Sequence, residues 1–165
     1  MTIPLSKRPY DIFFLIYFIT HIPITLVIDA QALIPSHYYR QSLVDLKYVH
    51  IHTFGDELMN TPPLWFKTGI ALELLFQVPY FVYATYCFVV CNESIKLPTI
   101  IYCSHVITTV LMIIPELSVR CSNAAMHDLL IVLYSIYLVI PAALLYRVYT
   151  NDKIFHDNNT KHKFN

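Results

Sequence analysis

Two carboxyl residues sit inside long apolar runs. Asp29 lies in Thr25-Leu26-Val27-Ile28-Asp29-Ala30-Gln31, and Glu73 in Ile70-Ala71-Leu72-Glu73-Leu74-Leu75. At the centre of a bilayer an ionisable side chain costs about 2.5–3.5 kcal/mol on insertion scales, so such a residue is a functional candidate by default. Helical spacing gives each acid polar company. His21, Thr25 and Asp29 recur every four residues, drifting by about 40° per step around one face. Glu73 and Gln77 are four apart, with Pro79 just beyond; His105, Thr108 and Thr109 share a face, and so do Tyr134 and Tyr137, with Pro141 one turn further. Polar stripes turned inward on otherwise apolar cylinders make a ligand pocket. Two carboxylates at close range cannot both ionise cheaply, so a shared proton leaves about one negative charge in an apolar chamber. A hydrophobic amine answers that charge, its ammonium on the carboxylate and its body on aromatic walls, with cation–π attraction from tyrosines. A sterol is the alternative guest, its single hydroxyl held by the same polar cluster. The blander reading stays open beside these: a lone His or Thr on a span serves an interhelical hydrogen bond worth about 0.6 kcal/mol, and the two acids form a structural, protonated pair.

The elements that position these residues follow from composition. The chain has 165 residues, 56% hydrophobic and 13% charged, with a mean hydropathy of +0.53. A soluble domain carries about 25% charged residues, and a short chain keeps much of its surface wet. Eleven basic and 11 acidic residues balance, so there is no basic excess to neutralise nucleic-acid phosphates. Two glycines leave no glycine-rich phosphate loop. Four apolar blocks, 12–34, 64–90, 97–114 and 129–149, are each long enough to cross a hydrocarbon core as a helix. Pro35, Pro62-Pro63, Pro98 and Pro115 mark their edges, where a missing N–H is tolerated. The expected fold is an all-α membrane protein: a bundle of four transmembrane helices, kinked by prolines, around an intramembrane ligand cavity. One domain covers residues 1–150 and a polar tail covers 151–165. The segment Ser36–Asn60 reads as a loop or interfacial helix over the bundle mouth.

Four spans put both termini on one side. Seven Lys and Arg residues fall on that side and four on the other, a bias that favours cytosolic termini. Lys161 and Lys163, five and three from the end, match a dilysine retrieval signal read in the cytosol on endoplasmic reticulum membrane proteins. Asn92-Glu93-Ser94 and Asn158-Asn159-Thr160 fit the glycosylation pattern, but this orientation keeps both from glycans. Of the four cysteines only Cys121 faces the lumen, so no intrachain disulfide is expected. The absence of a C-x-x-C pair leaves a structural zinc site unsupported. No metal, cofactor or nucleic-acid partner is expected.

These residues carry a resemblance. His21-Ile22-Pro23-Ile24-Thr25-Leu26 with Asp29 and Gln31-Ala32, then Pro62-Pro63-Leu64-Trp65-Phe66-Lys67 with Glu73-Leu74, Phe76-Gln77 and Pro79, resemble the first two spans of the sigma-2 receptor family. Ile100-Ile101-Tyr102, His105 and Thr108-Thr109, and then Tyr134, Tyr137 and Ile140-Pro141, resemble its last two. The match covers roughly residues 12–150 and is most specific in the first two spans. The family belongs to the EXPERA group, together with the emopamil-binding sterol isomerases. The resemblance implies a homodimeric endoplasmic reticulum protein, with the nuclear envelope, lysosome and plasma membrane as further locations. It implies binding of sterols, oxysterols and cationic amphiphilic amines, and a role in cholesterol trafficking with the Niemann–Pick type C transporter as partner. It assigns the ligand amine to Asp29, hydrogen-bonded to Glu73, with His21, Gln77, Thr109, Tyr134 and Tyr137 in or near the pocket. Asp56, Thr25, Met59 and Phe54 are the supporting residues. The chain departs in a short loop before the fourth span, in Val110 where the family has leucine, and in His50 where it has tyrosine. A sterol Δ8–Δ7 isomerase is the competing function. Asp29, Glu73 and His21 would shuttle the proton, but the related isomerases use a tryptophan in the last span and the single tryptophan here is Trp65. No catalytic residue is therefore assigned.

Overall fold

A computed structural model describes residues 3–155. Lys161, Lys163 and the sequon at Asn158 lie outside the described residues. Among those described there is no strand, and the architecture is the all-α bundle expected from the apolar blocks. Its helices are α1 (Pro9–Val27), α2 (Gln41–Phe54), α3 (Glu57–Asn60), α4 (Leu64–Leu72), α5 (Val78–Val90), α6 (Lys96–Arg120) and α7 (His127–Thr150). With adjoining turns they make four segments long and apolar enough to cross a membrane: Pro9–Ala32, Leu64–Val90, Glu93–Arg120 and His127–Thr150. Helix α1 packs along α5, and α6 along α7.

The prolines act in two ways. Pro63 precedes α4 and Pro98 sits in the first turn of α6, where an N–H has no helical acceptor to lose. Pro23, Pro115 and Pro141 instead lie inside helices. Pro115 is thus no boundary: α6 continues to Arg120, because Ile113 and Leu117, four apart on one face, are both buried in the core. Pro79 has a different consequence. It cannot donate to the carbonyl of Leu75, and the preceding residues Glu73–Gln77 widen into a π-helical turn in which the Val78 N–H reaches back to the Glu73 carbonyl. The segment before α4 is helical, α2 lying over the bundle mouth with no fully buried residue of its own.

Two apolar clusters hold the bundle. One stacks Phe14, Phe18, Phe81, Phe88 and Leu144 towards the end where α1 begins and α7 finishes. Phe18 and Phe81 stack with ring centroids 6.0 Å apart, and Phe88 meets Phe18 edge-on at 5.3 Å, arrangements that suit the ring quadrupoles. The other gathers Leu58, Met59, Phe66, Ile70, Leu117 and Leu130 towards the opposite mouth.

A buried ion cluster joins the start of α1 to the last turn of α7. Asp11, 1% exposed, pairs with Arg8 at 2.8 Å and with Arg147. Arg8 also donates to the Phe88 carbonyl at 3.1 Å through both terminal nitrogens, and Arg147 donates to the Ile154 carbonyl at 2.9 Å. The Glu93 carboxylate accepts the N–H groups of Ile154 and Phe155 at 2.9 and 3.0 Å. Arg8, Asp11, Glu93 and Arg147 are therefore internal pins. Removing one partner of a buried pair leaves an uncompensated charge and costs about 3–5 kcal/mol. Asp11→Ala strands two guanidinium groups, so a marked fall in the thermal midpoint of detergent-purified protein is expected; an unchanged midpoint would show that the cluster holds nothing together.

Candidate ligand site

The backbone breaks regular helix at both acids. Helix α1 gives way after Ile28 to a tighter 3-10 turn, Asp29–Ala32. Such a change frees carbonyls that must find other donors. The Gln31 side-chain amide donates to the Val27 carbonyl at 2.6 Å and to the Leu43 carbonyl of α2 at 3.0 Å. Lys47 donates to the Gln31 carbonyl at 3.0 Å, and Tyr39 to the Leu26 carbonyl at 3.3 Å. Desolvation lowers the pKa of Lys47 and raises that of Tyr39. The same bonds clamp α2 over the end of α1. Glu73, in turn, opens the π-helical turn, which points it and Gln77 inward.

Between the two apolar clusters lies a cavity of about 340 Å³, within the range of small-molecule sites. Residues of both clusters wall it, Val106 and Val110 from one and Phe66, Ile70 and Ile113 from the other. All seven sequence-assigned positions line it: Asp29, Glu73, His21, Gln77, Thr109, Tyr134 and Tyr137. Asp29 lies close enough to Glu73 and Asp56 to interact electrostatically with both. Glu73 Oε1 accepts from Thr25 Oγ1 at 2.6 Å and lies 3.3 Å from His21 Nε2. The His21 ring is boxed by Tyr17, Phe81 and Tyr137 at centroid distances of 5.2, 4.8 and 4.9 Å. Its Nδ1 is buried with no hydrogen-bond partner among the described residues. Gln77 reaches His105 Nδ1 at 3.3 Å.

The supporting residues divide. Phe54 lines the cavity, and Thr25 holds Glu73. Asp56 is fully buried behind Tyr134. Its Oδ2 accepts from the Tyr134 hydroxyl at 2.7 Å and meets His50 Nε2 at 3.1 Å, while its Oδ1 accepts the Met59 N–H at 3.1 Å and so caps α3. Met59 contributes that N–H and a buried side chain. Thr108, grouped by spacing with Thr109, is exposed and bonds the Ser104 carbonyl.

The sequence reading left three contributors unassigned. His50 lines the cavity from α2; its signal was its place six residues before an acid. Gly69 lines it one helical turn before Glu73, and a Cβ there would stand 3.5 Å from the Thr109 methyl, so the small residue keeps space open. Gly55 never touches the cavity but sets Asp56. It ends α2 at φ +70°, where a side chain is disfavoured, and an added Cβ would collide with the Asn123 backbone nitrogen and stand 2.7 Å from Asn123 Cβ. The Ser122 N–H donates to the Gly55 carbonyl at 3.1 Å, and the Asn123 amide to Thr53 at 3.0 Å.

The fold and the cavity define a multi-pass helical membrane protein with an acidic, aromatic-walled pocket inside the bundle. Residues 42–148 match the family EXPERA (EXPanded EBP superfamily), and the chain belongs to it. It is 36% identical over 160 residues to the sigma intracellular receptor 2 of Xenopus tropicalis, covering 91% of this chain and 94% of that one. It is 35% and 34% identical over 158 residues to those of Macaca fascicularis and Homo sapiens, covering 88% of this chain and 90% of each.

The two glycines separate scaffold from pocket. Gly55→Ala is expected to lose about 1–3 kcal/mol through backbone strain alone, more once the Asn123 collision is counted. Gly69→Ala should fold normally. Thermal midpoints of the two variants in detergent check this; equal stability would remove the Gly55–Asn123 contact from the account.

Proposed function

We propose that this chain is an endoplasmic reticulum membrane receptor, its termini cytosolic, that binds sterols or oxysterols and hydrophobic cationic amines and regulates intracellular cholesterol trafficking. The observation that carries the reading is the convergence of Asp29 and Glu73 on one mostly apolar cavity. A cationic ligand there exchanges water for a carboxylate in a low-dielectric site, where the attraction is strong. Tyr134 and Tyr137 offer ring faces to the ammonium, and Phe54, Phe66 and Ile70 receive the apolar body. A sterol uses the same walls and gives its hydroxyl to one carboxylate. The names of the similar receptors support this class. The dilysine signal at Lys161 and Lys163, a homodimer and a Niemann–Pick type C transporter as partner complete the proposal.

The His21–Glu73 contact favours one alternative, a sterol isomerase, because an imidazole and a carboxylate within reach of each other can pass a proton. Against it, Trp65 is not among the cavity walls, and no other tryptophan exists to face a carbocation. Rescue of an isomerase-deficient strain would favour this alternative.

Hydrogen bonds to charged groups contribute about 1.5–3 kcal/mol. Asp29→Asn and Glu73→Gln should therefore each weaken saturable binding of a radiolabelled hydrophobic amine by about tenfold or more, and Asp29→Asn should abolish its competition with a clickable sterol photoprobe. Unchanged amine binding in both variants would remove the site.

A further inference from the structure

His50 has a role that the receptor reading does not use. It enters the cavity from α2, and its side chain is 24% exposed. A carboxylate only accepts hydrogen bonds. Asp56 also accepts from the Tyr134 hydroxyl and the Met59 N–H, and with Asp56 ionised the 3.1 Å contact to His50 is made through a hydrogen on Nε2. That hydrogen is present whether the ring is neutral or charged. The second proton, which decides the charge, goes on Nδ1.

His50 and His21 are the two basic side chains on the cavity wall, and of the two His50 is the one that faces Asp56. Asp56, from the turn before α3, is its direct partner, with Tyr134 of α7 sharing the same oxygen. Across the cavity stand Asp29 and His21 from the first span, Glu73 from the π-helical turn and Tyr137 from α7; α6 contributes no charged side chain to the walls. On α2 itself, Asp45 is taken by Gln41, Lys47 by the Gln31 carbonyl, and His52 lies against the Tyr48 ring. No lysine or arginine lines the cavity. A positive charge on His50 is therefore placed to satisfy Asp56, and it occupies the same chamber that a ligand ammonium must enter.

We propose that His50 is a specificity-determining residue: protonated, it excludes cationic ligands in favour of neutral ones, and deprotonated, it admits both. The inference rests on the proposed amine-binding role of the cavity. Histidine is the side chain suited to such discrimination, since imidazole ordinarily changes charge between about pH 5 and 8.

The test uses the full chain in lipid nanodiscs, a radiolabelled quaternary ammonium amphiphile whose charge is independent of pH, and a neutral clickable sterol. Between about pH 5.5 and pH 8 the affinity for the quaternary ammonium should rise about three- to tenfold, the scale of one like charge across a cavity. Sterol labelling should stay level. His50→Gln keeps an N–H for Asp56 without a charge and should show a clearly smaller rise in quaternary ammonium affinity across the range, ending near the wild-type value at pH 8. His50→Tyr, which offers a hydroxyl instead, should behave alike and guards against a folding failure of the first variant. If either folded variant keeps the full pH dependence, the effect belongs to Asp29, Glu73 or His21 and the inference is overturned, as it is if the wild-type chain shows none. Binding of neither probe by the wild-type chain at any pH overturns the receptor reading, and this inference with it.

Discussion

A carboxylate taken out of water must be given donors or a counter-charge, and this bundle is arranged around four of them. Asp11 is answered by two arginines and locks the start of α1 to the last turn of α7. Asp56 is answered by a hydroxyl, a backbone N–H and an imidazole, and fixes the turn before α3 against α7. Glu73 has a threonine hydroxyl and a histidine. Asp29 has neighbouring acids in place of a counter-charge. The chain thus satisfies Asp11 and Asp56 internally and leaves Asp29 and Glu73 as an acidic pole on the cavity wall.

Backbone irregularity aims that pole. Pro79 leaves the Leu75 carbonyl without its helical N–H donor, and on the π-helical turn just before it Glu73 and Gln77 both face the cavity. The 3-10 turn brings Asp29 to the cavity wall, and Gln31 within it anchors α2 twice, its carbonyl accepting from Lys47 and its side-chain amide donating to the Leu43 carbonyl. Holding the lid and presenting the acid are consequences of one break in α1. Departures from regular geometry at a binding site are expected, since they re-aim side chains that a straight helix cannot.

The fold was legible in the sequence because hydrophobic length is a one-dimensional property: runs such as 64–90 and 129–149 state their own spans. The acids were legible for the converse reason, being polar residues where an apolar one is expected. Residues acting through three-dimensional neighbours were not. Gly55 matters because Asn123 packs against it from a loop 68 positions later. Asp11 and Arg147 sit at helix ends, where charge is ordinary, and only folding brings them together. Pro115 read as a boundary because sequence shows the lost N–H and not the buried Leu117 that keeps the helix going. His50 lies on a mixed segment whose periodicity does not reveal which face turns inward.

The central claim is that the cavity between the two apolar clusters receives a ligand's charged nitrogen on its acidic pole. An experimental structure of the chain with a hydrophobic amine tests it most directly. The account predicts the nitrogen within hydrogen-bonding distance of Asp29 or Glu73, with the apolar body against Phe66 and Ile70. An amine bound on the lipid-facing surface, with the cavity unoccupied, would contradict it.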